Sequence, residues 1–246
     1  MPLPERRSRA ATTLLAMLAM LAALVLSGCA GLDSPGSGGP TAEAPTYRVG
    51  DRWVYRAVDG FRSPVRWEET REIVAIGADG IVVRVTQKGP TVDSARTERW
   101  TGPGQVGIGS VYDDETRRFT PALERYAFPL RPGKSWNQWL DNFNETTGKD
   151  GQFNRYVSVG GWEQVTTPAG TFDAIRLRVM MRLDDEEFWR YATECNYLLW
   201  YSPAVRGIVR EAKEAQYRER SDDFRGGTAI RSQHATLELV SFTPGR

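Results

Sequence analysis

Histidine, cysteine and lysine are nearly missing from this chain. There is one histidine, His234, and there are two cysteines, Cys29 and Cys195. A Ser-His-Asp or Cys-His relay would have to be built on His234. No Gly-x-Ser-x-Gly elbow accompanies it, and Ser110 in VGIGSVY does not supply one. His234 reads instead as a residue on the polar side of a C-terminal strand. One histidine and one free thiol are too few nitrogen and sulfur ligands for zinc. No metal, no cofactor and no catalytic residue is therefore expected. Lysine occurs only at 88, 134, 149 and 213, so the basic charge is almost all arginine. With 32 basic against 31 acidic residues, neither a nucleic-acid groove nor a polybasic membrane patch is indicated.

Chemistry that needs only oxygen has two places to look. The stretch DNFNETTGKDG, residues 141–151, offers Asp141, Asn142, Asn144, Glu145 and Asp150. Gly148 is misplaced for an EF-hand and no acid stands at the last ligand position, so a polar turn is expected. The acidic runs Asp113-Asp114-Glu115 and Asp184-Asp185-Glu186-Glu187 are flanked by arginine and read as solvated loops. A pair of carboxylates acting on glycans stays open as one functional reading, since residue types alone allow it.

Long apolar runs are also scarce, with one exception. Arg6, Arg7 and Arg9 precede a run from Ala10 to Leu26 broken only by Thr12 and Thr13. A basic head followed by a short apolar helix is the layout of a secretory signal, too short to be a comfortable membrane span. It ends in Leu26-Ser27-Gly28-Cys29, which resembles the bacterial lipobox. That resemblance implies cleavage before Cys29 and acylation of its thiol, with chains such as palmitate anchoring the protein in a membrane. Two or more chains hold a domain stably, at about 0.8 kcal/mol per buried methylene. Ala30 in place of Asp favours the outer membrane, facing the periplasm, in a Gram-negative host. Residues 1–28 are thus expected to be a signal peptide and 29–46, rich in Gly, Pro, Ser and Ala, a lipid-anchored flexible tether. Residues 47–246 are expected to form one domain. The leader takes with it three Arg and one Glu, leaving the mature chain close to neutral. Cys195 is then its only thiol and reads as a buried small apolar residue.

Alternation dominates that domain. In TFDAIRLRVMMRL, residues 171–183, Ile175, Leu177, Val179, Met181 and Leu183 point one way and Arg176, Arg178 and Arg182 the other. Trp53, Tyr55 and Ala57 repeat the pattern, as do Ile81, Val83 and Val85, and Ala235, Leu237 and Leu239. Turn chemistry separates the runs at Gly77–Gly80, Thr167–Gly170 and Ser202–Gly207. Helix is expected only as a turn or two over residues 121–128 and 184–190. The fold expected is all-β: an antiparallel curved sheet, half-barrel or barrel, with little helix. Gly50 to Trp53 and Gly133 to Trp136 share a Gly-x-x-Trp pattern at the start of a strand, which suits either two related halves or a common way to open a strand.

The blocks YRVGDRWVYR, FPLRPGKSW, VTTPAGTFDAIRL and LLWYSPAVRGIVRE, in that order, resemble a set of bacterial envelope lipoproteins that carry no assigned activity. The resemblance implies location and a β-rich fold, not chemistry. A more distant similarity is to periplasmic lipoprotein carriers, whose curved sheet cups acyl chains beneath helices not evident here. Aromatic side chains supply the candidate ligand surface. Trp136 and Trp139 lie close to Phe143, and Trp189 and Trp200 fall in a second crowded stretch with Phe188, Tyr191, Tyr197 and Tyr201. Each suits a core as well as a concave apolar site. The leading functional reading is non-enzymatic binding of a hydrophobic ligand or of an envelope partner. A structural or assembly accessory comes second, and the carboxylate hydrolase third.

Overall fold

The computed structural model describes residues 39–246 apart from 61–62, 113, 185–186 and 221–226. The leader, Cys29 and most of the linker lie outside the described residues. The first six strands are β1 (Arg52–Asp59), β2 (Val65–Gly77), β3 (Gly80–Lys88), β4 (Asp93–Gly102), β5 (Gln105–Gly109) and β6 (Arg117–Glu124). The second six are β7 (Ser135–Asn144), β8 (Lys149–Thr167), β9 (Gly170–Asp184), β10 (Thr193–Ser202), β11 (Gly207–Arg218) and β12 (Ala229–Thr243). Each pairs antiparallel with the next, and β12 pairs with β1, so the sheet closes into a barrel. Closure leaves no open sheet edge.

Side-chain alternation sets which face is inside. Ile175, Leu177, Val179, Met181 and Leu183 are all buried, as the sequence pattern requires. A register slip of one residue would send all five to solvent, which is why the pairing is strongly specified. The outward face carries Arg84, Arg99, Arg178 and Glu194 in exposed positions. Membrane-spanning barrels show the reverse, an apolar outer band around a polar lumen.

The expected helices are absent among the described residues, where the only helical element is a single 3₁₀ turn, Pro203–Val205. Residues 117–124 run as β6, with Arg117, Phe119 and Leu123 buried. Pro121 has no N–H to donate, but the main-chain ladder to β7 already ends at Thr120. Side chains splice the seam beyond it. The Gln138 amide imitates a peptide, donating to the Ala122 carbonyl at 2.9 Å and accepting from the Glu124 N–H at 2.8 Å. Trp136 Nε1 and the Arg155 guanidinium donate to the same stretch, at the Glu124 and Arg125 carbonyls. At the second site, Arg190 pairs with Glu219 in an isolated bridge.

The two Gly-x-x-Trp segments open β1 and β7 in the same way. Gly50 and Gly133 have φ of 89° and 82°, the left-handed region that favours glycine. The Gly50 N–H donates to the Ile73 carbonyl and the Ile73 N–H back to Asp51; Gly133, Val159 and Lys134 repeat both bonds. Each turn closes alike, with the Asp51 N–H on Arg48 and the Lys134 N–H on Arg131. The barrel is therefore two six-strand halves with matching starts, and the inward positions Glu69 and Arg155, each four residues before the shared bond, correspond.

The N-terminal segment belongs to the barrel earlier than position 47. Ala42 is buried and exchanges two 2.8 Å main-chain bonds with Leu130, and Trp162 Nε1 donates to the Pro40 carbonyl. The polar composition that marks residues 39–46 as tether hides this, because the docking runs through main-chain groups and one alanine. Tyr47 follows, packed on Trp53 and Trp100 with ring centroids 6.1 and 5.4 Å away. These rings stop the end of the barrel where β1 and β7 begin.

Candidate binding site inside the barrel

Inward positions change character around the barrel. On β9, β10 and β12 they are apolar: Val179, Met181, Leu199 and Leu237 are buried there. On β2, β3 and β4 the inward positions toward the cavity mouth are Glu69, Arg71, Gln87, Arg96 and Glu98, and those further in, Ile73, Ile81 and Val83, are apolar. The registers Glu69–Gln87 and Arg71–Val85–Arg96 place these groups on adjacent rows of one face. An ion-pair lattice is thus set into one side of a largely apolar interior.

The lattice is nearly closed on itself. Arg71 holds Glu69 at 2.6 Å and faces Glu211 at 3.6 Å. Gln87 Nε2 donates to Glu69 at 2.9 Å and to Asp114 at 2.8 Å. Glu98 accepts from Trp100 Nε1 at 2.9 Å and pairs with Arg125 at 3.2 Å and with Arg96 at 3.6 Å. Burial pushes both buried carboxyls upward. The surrounding guanidiniums and hydrogen bonds outweigh it, Arg71 foremost for Glu69 and Arg125 for Glu98, and both end lowered to about 2.

Two cations stand outside the lattice. Arg155 is only 4 % exposed, and its hydrogen bonds go to the carbonyls of Glu124 and Arg125. Among the described residues no carboxylate pairs with it, and burial brings its guanidinium down to about 10. Lys213 lies 5.1 Å from the Tyr197 ring centroid, likewise without a carboxylate partner among those residues. Two neutral donors are also unspent: Trp67 Nε1 and Ser232 Oγ are buried atoms with no hydrogen-bond partner.

All four border one cavity of about 310 Å³, between the charged and apolar walls. Its deep end is lined by Tyr126, whose ring lies 5.6 Å from Tyr201 and whose phenol is raised by burial. Its mouth opens beside Asp59, Trp67, Asp114 and Gln233, at the end where β2 and β12 begin. That end is opposite the one where residues 39–51 join the barrel.

None of the four tryptophans expected to line a ligand site borders this cavity. Trp136 points inward but lies in the β6–β7 seam, bonded to the Glu124 carbonyl. Trp139, three residues on in a strand, takes the opposite face and is 65 % exposed. Trp189 packs edge-on against Tyr217 beyond the end of β9. Trp200 points outward and donates to Glu163. Period-two geometry separates what sequence proximity groups.

The other candidates fall as follows. Cys195 is buried, as expected of a small apolar residue. His234 faces outward beside Glu214 at 3.4 Å. Only residues 145–148 of this stretch are turn; Asn142, which accepts from Arg117, and Asn144, which donates to Glu115 and accepts from the N–H groups of Thr146 and Thr147, are buried at the end of β7. Of the acidic runs, Asp114 reaches the cavity rim and pairs with Arg96 at 3.2 Å, whereas Glu187 pairs with Lys149.

No protein-family model matches the chain, and no curated protein matches it. Two solved structures resemble it in shape. One is a candidate exported protein with a YmcC-like fold from Bacteroides fragilis NCTC 9343, at 13 % identity and a TM-score of 0.49, over 82 % of this chain and 99 % of that one. The other is a candidate lipoprotein from Parabacteroides distasonis ATCC 8503, at 12 % identity and a TM-score of 0.48, over 83 % of this chain and 100 % of that one.

Proposed function

We propose that the chain is a bacterial envelope lipoprotein, held in the outer membrane by acyl chains on Cys29, whose barrel binds a small ligand in the periplasm without transforming it. The observation that carries this reading is the cavity of about 310 Å³ inside the barrel, with its mouth at the end away from the N-terminal segment. That volume lies at the low end of the usual range for ligand pockets, about 300–1,000 Å³. A domain tethered by its N-terminal side would thereby present its mouth to the compartment. The charged outer face fits an aqueous surrounding.

The interior carboxylates argue for binding and not hydrolysis. A glycosidase acid must hold its proton near neutral pH. Glu69 and Glu98 are instead held ionised down to about 2 by their arginines. A second reading, docking of an envelope protein, draws on an exposed apolar strip outside the barrel. There Tyr156 and Met180 are direct cross-strand partners and Trp139 is their neighbour on β7.

Native mass spectrometry on the chain without leader and anchor cysteine, residues 30–246, purified without detergent, tests the choice. A reproducible small-molecule adduct, released on denaturation, is expected. A bare protein at the sequence mass would retire the cavity reading in favour of docking. In the producing cell, Cys29→Ser should lose the acylated N-terminal peptide and the membrane association of the full chain.

A further inference from the structure

Resting on the cavity reading, we infer that the ligand is an anionic amphiphile: a carboxylate or phosphate head on a short apolar body, bound by the unspent donors of the barrel interior.

A count of donors and acceptors carries this. Most acceptors on the cavity wall are taken. Glu69, Glu98 and Asp114 each receive two or more donors, and the Gln87 and Gln233 amide oxygens accept from Ser94 and Tyr197. Two carboxylates are less engaged: Glu211 faces Arg71 at 3.6 Å, and Asp59 at the rim accepts the His234 N–H at 2.8 Å. What remains unspent is donors. They are the Trp67 indole, the Ser232 hydroxyl, the Lys213 ammonium and the second N–H on each terminal nitrogen of Arg155. A buried cation without a counter-ion is costly, and a ligand that supplies the charge recovers that cost. A neutral apolar molecule would leave all of these donors unpaired, which is the stronger kind of rejection. Water would serve the neutral donors but would not bring a counter-charge to Arg155 and Lys213, which no carboxylate pairs with among the described residues.

The other half of the ligand follows from the facing wall. Val179, Met181, Leu199, Leu237 and Ala235 offer no polar side-chain atom to a second head group. The ligand is therefore charged at one end only.

Titration calorimetry on the same residues 30–246 with four probes tests this: octanoate, octyl phosphate, octanol and acetate. Octanoate or octyl phosphate should bind at least about 10-fold more tightly than octanol, and acetate more weakly than octanoate. Arg155→Met should weaken octanoate at least about 10-fold and leave octanol unchanged. Because Arg155 also splices the β6–β7 seam, Lys213→Met is the second variant, at a side chain with no hydrogen bond to lose among the described residues. It should weaken the anions alone, whereas Arg178→Met on the outer wall should change nothing. Octanol binding as well as octanoate would overturn the anionic head while leaving a cavity binder. Acetate or inorganic phosphate binding as well as octanoate would overturn the apolar body and point to a small soluble anion. If no probe binds, the inference falls. The adduct experiment then decides separately whether the cavity reading falls with it.

Discussion

Glu69 and Arg71 stand two residues apart on β2, both point into the barrel, and their charged groups meet at 2.6 Å. Alternation alone puts residues i and i+2 on the same face, so a strand can carry its own ion pair inward. Removing one partner strands the other in a low dielectric, which typically costs about 3–5 kcal/mol. Glu69→Gln is expected to lose about 3 kcal/mol and Arg71→Met a similar amount. The double variant should lose clearly less than the sum, with a coupling of at least about 1 kcal/mol. Urea unfolding with an unchanged m-value measures it. Additive losses would mean that the pair is held by its surroundings and not by each other.

The same carboxylates set an acid limit. In the unfolded chain Glu69 and Glu98 would titrate near the ordinary 4.5, but in the barrel they do so at about 2. Between those values protons bind the unfolded chain preferentially, so stability falls as pH falls. Above about 5 these two groups contribute fully and the curve should be flat on their account. Below 2 their contribution is gone. Unfolding midpoints from pH 7 to pH 2 should therefore drop mainly below pH 5. In Glu98→Gln the drop should be shallower, from a lower plateau. A drop lying mainly above pH 5 would show that other groups, and not these two carboxylates, set the acid limit.

How much of this was legible beforehand depends on the strand. On β9 the inward Ile175, Leu177, Val179, Met181 and Leu183 contrast with outward arginines, and the pattern names the element, its face and its depth. On β2 the sequence VRWEETREIVAIG offers Glu68 and Glu72 outside but Glu69 and Arg71 inside. Both faces are polar, so periodicity vanishes and the strand reads as surface. β4, DSARTERWTG, fails the same way at Arg96 and Glu98. A polar stretch of strand length between clear strands and turns was the available signal, and its meaning is a charged interior. A barrel was one of the expected forms, but the choice of closure over an open curved sheet depends on β1 meeting β12 across nearly the whole chain. Arg155 was beyond reach, since nothing local marks an arginine as lacking a carboxylate partner.

Asp51 ties three segments at the closed end. Its carboxylate accepts from the Arg48 N–H at 2.9 Å and the Gly245 N–H at 2.8 Å, and it pairs with Arg206 at 3.0 Å. Arg206 sits at φ 54°, a left-handed conformation unfavourable for a side-chain-bearing residue. Asp51→Ala leaves the half-buried Arg206 guanidinium with only the Thr46 carbonyl and two N–H groups without acceptors, and should cost about 2–4 kcal/mol. Arg206→Gly relieves the backbone while losing the pair, so its net cost should be smaller. Thermal unfolding that ranks the two variants the other way would show that the strain is minor and the ion pair dominant.

Gly133 isolates the backbone requirement of the repeated turn. An added Cβ there would meet no atom within 4 Å, so any cost of Gly133→Ala comes from φ of 82° alone. That cost should be about 1–2 kcal/mol. Gly50→Ala adds a contact at 3.5 Å with Gly245, an ordinary van der Waals distance, and should cost about the same. Equal losses at two positions 83 residues apart are what two matching half-barrels require. Unequal losses, with Gly50 the worse by more than about 1 kcal/mol, would mean that the C-terminal segment packed on Gly50 dominates there and that the matched turns do not carry matched energies.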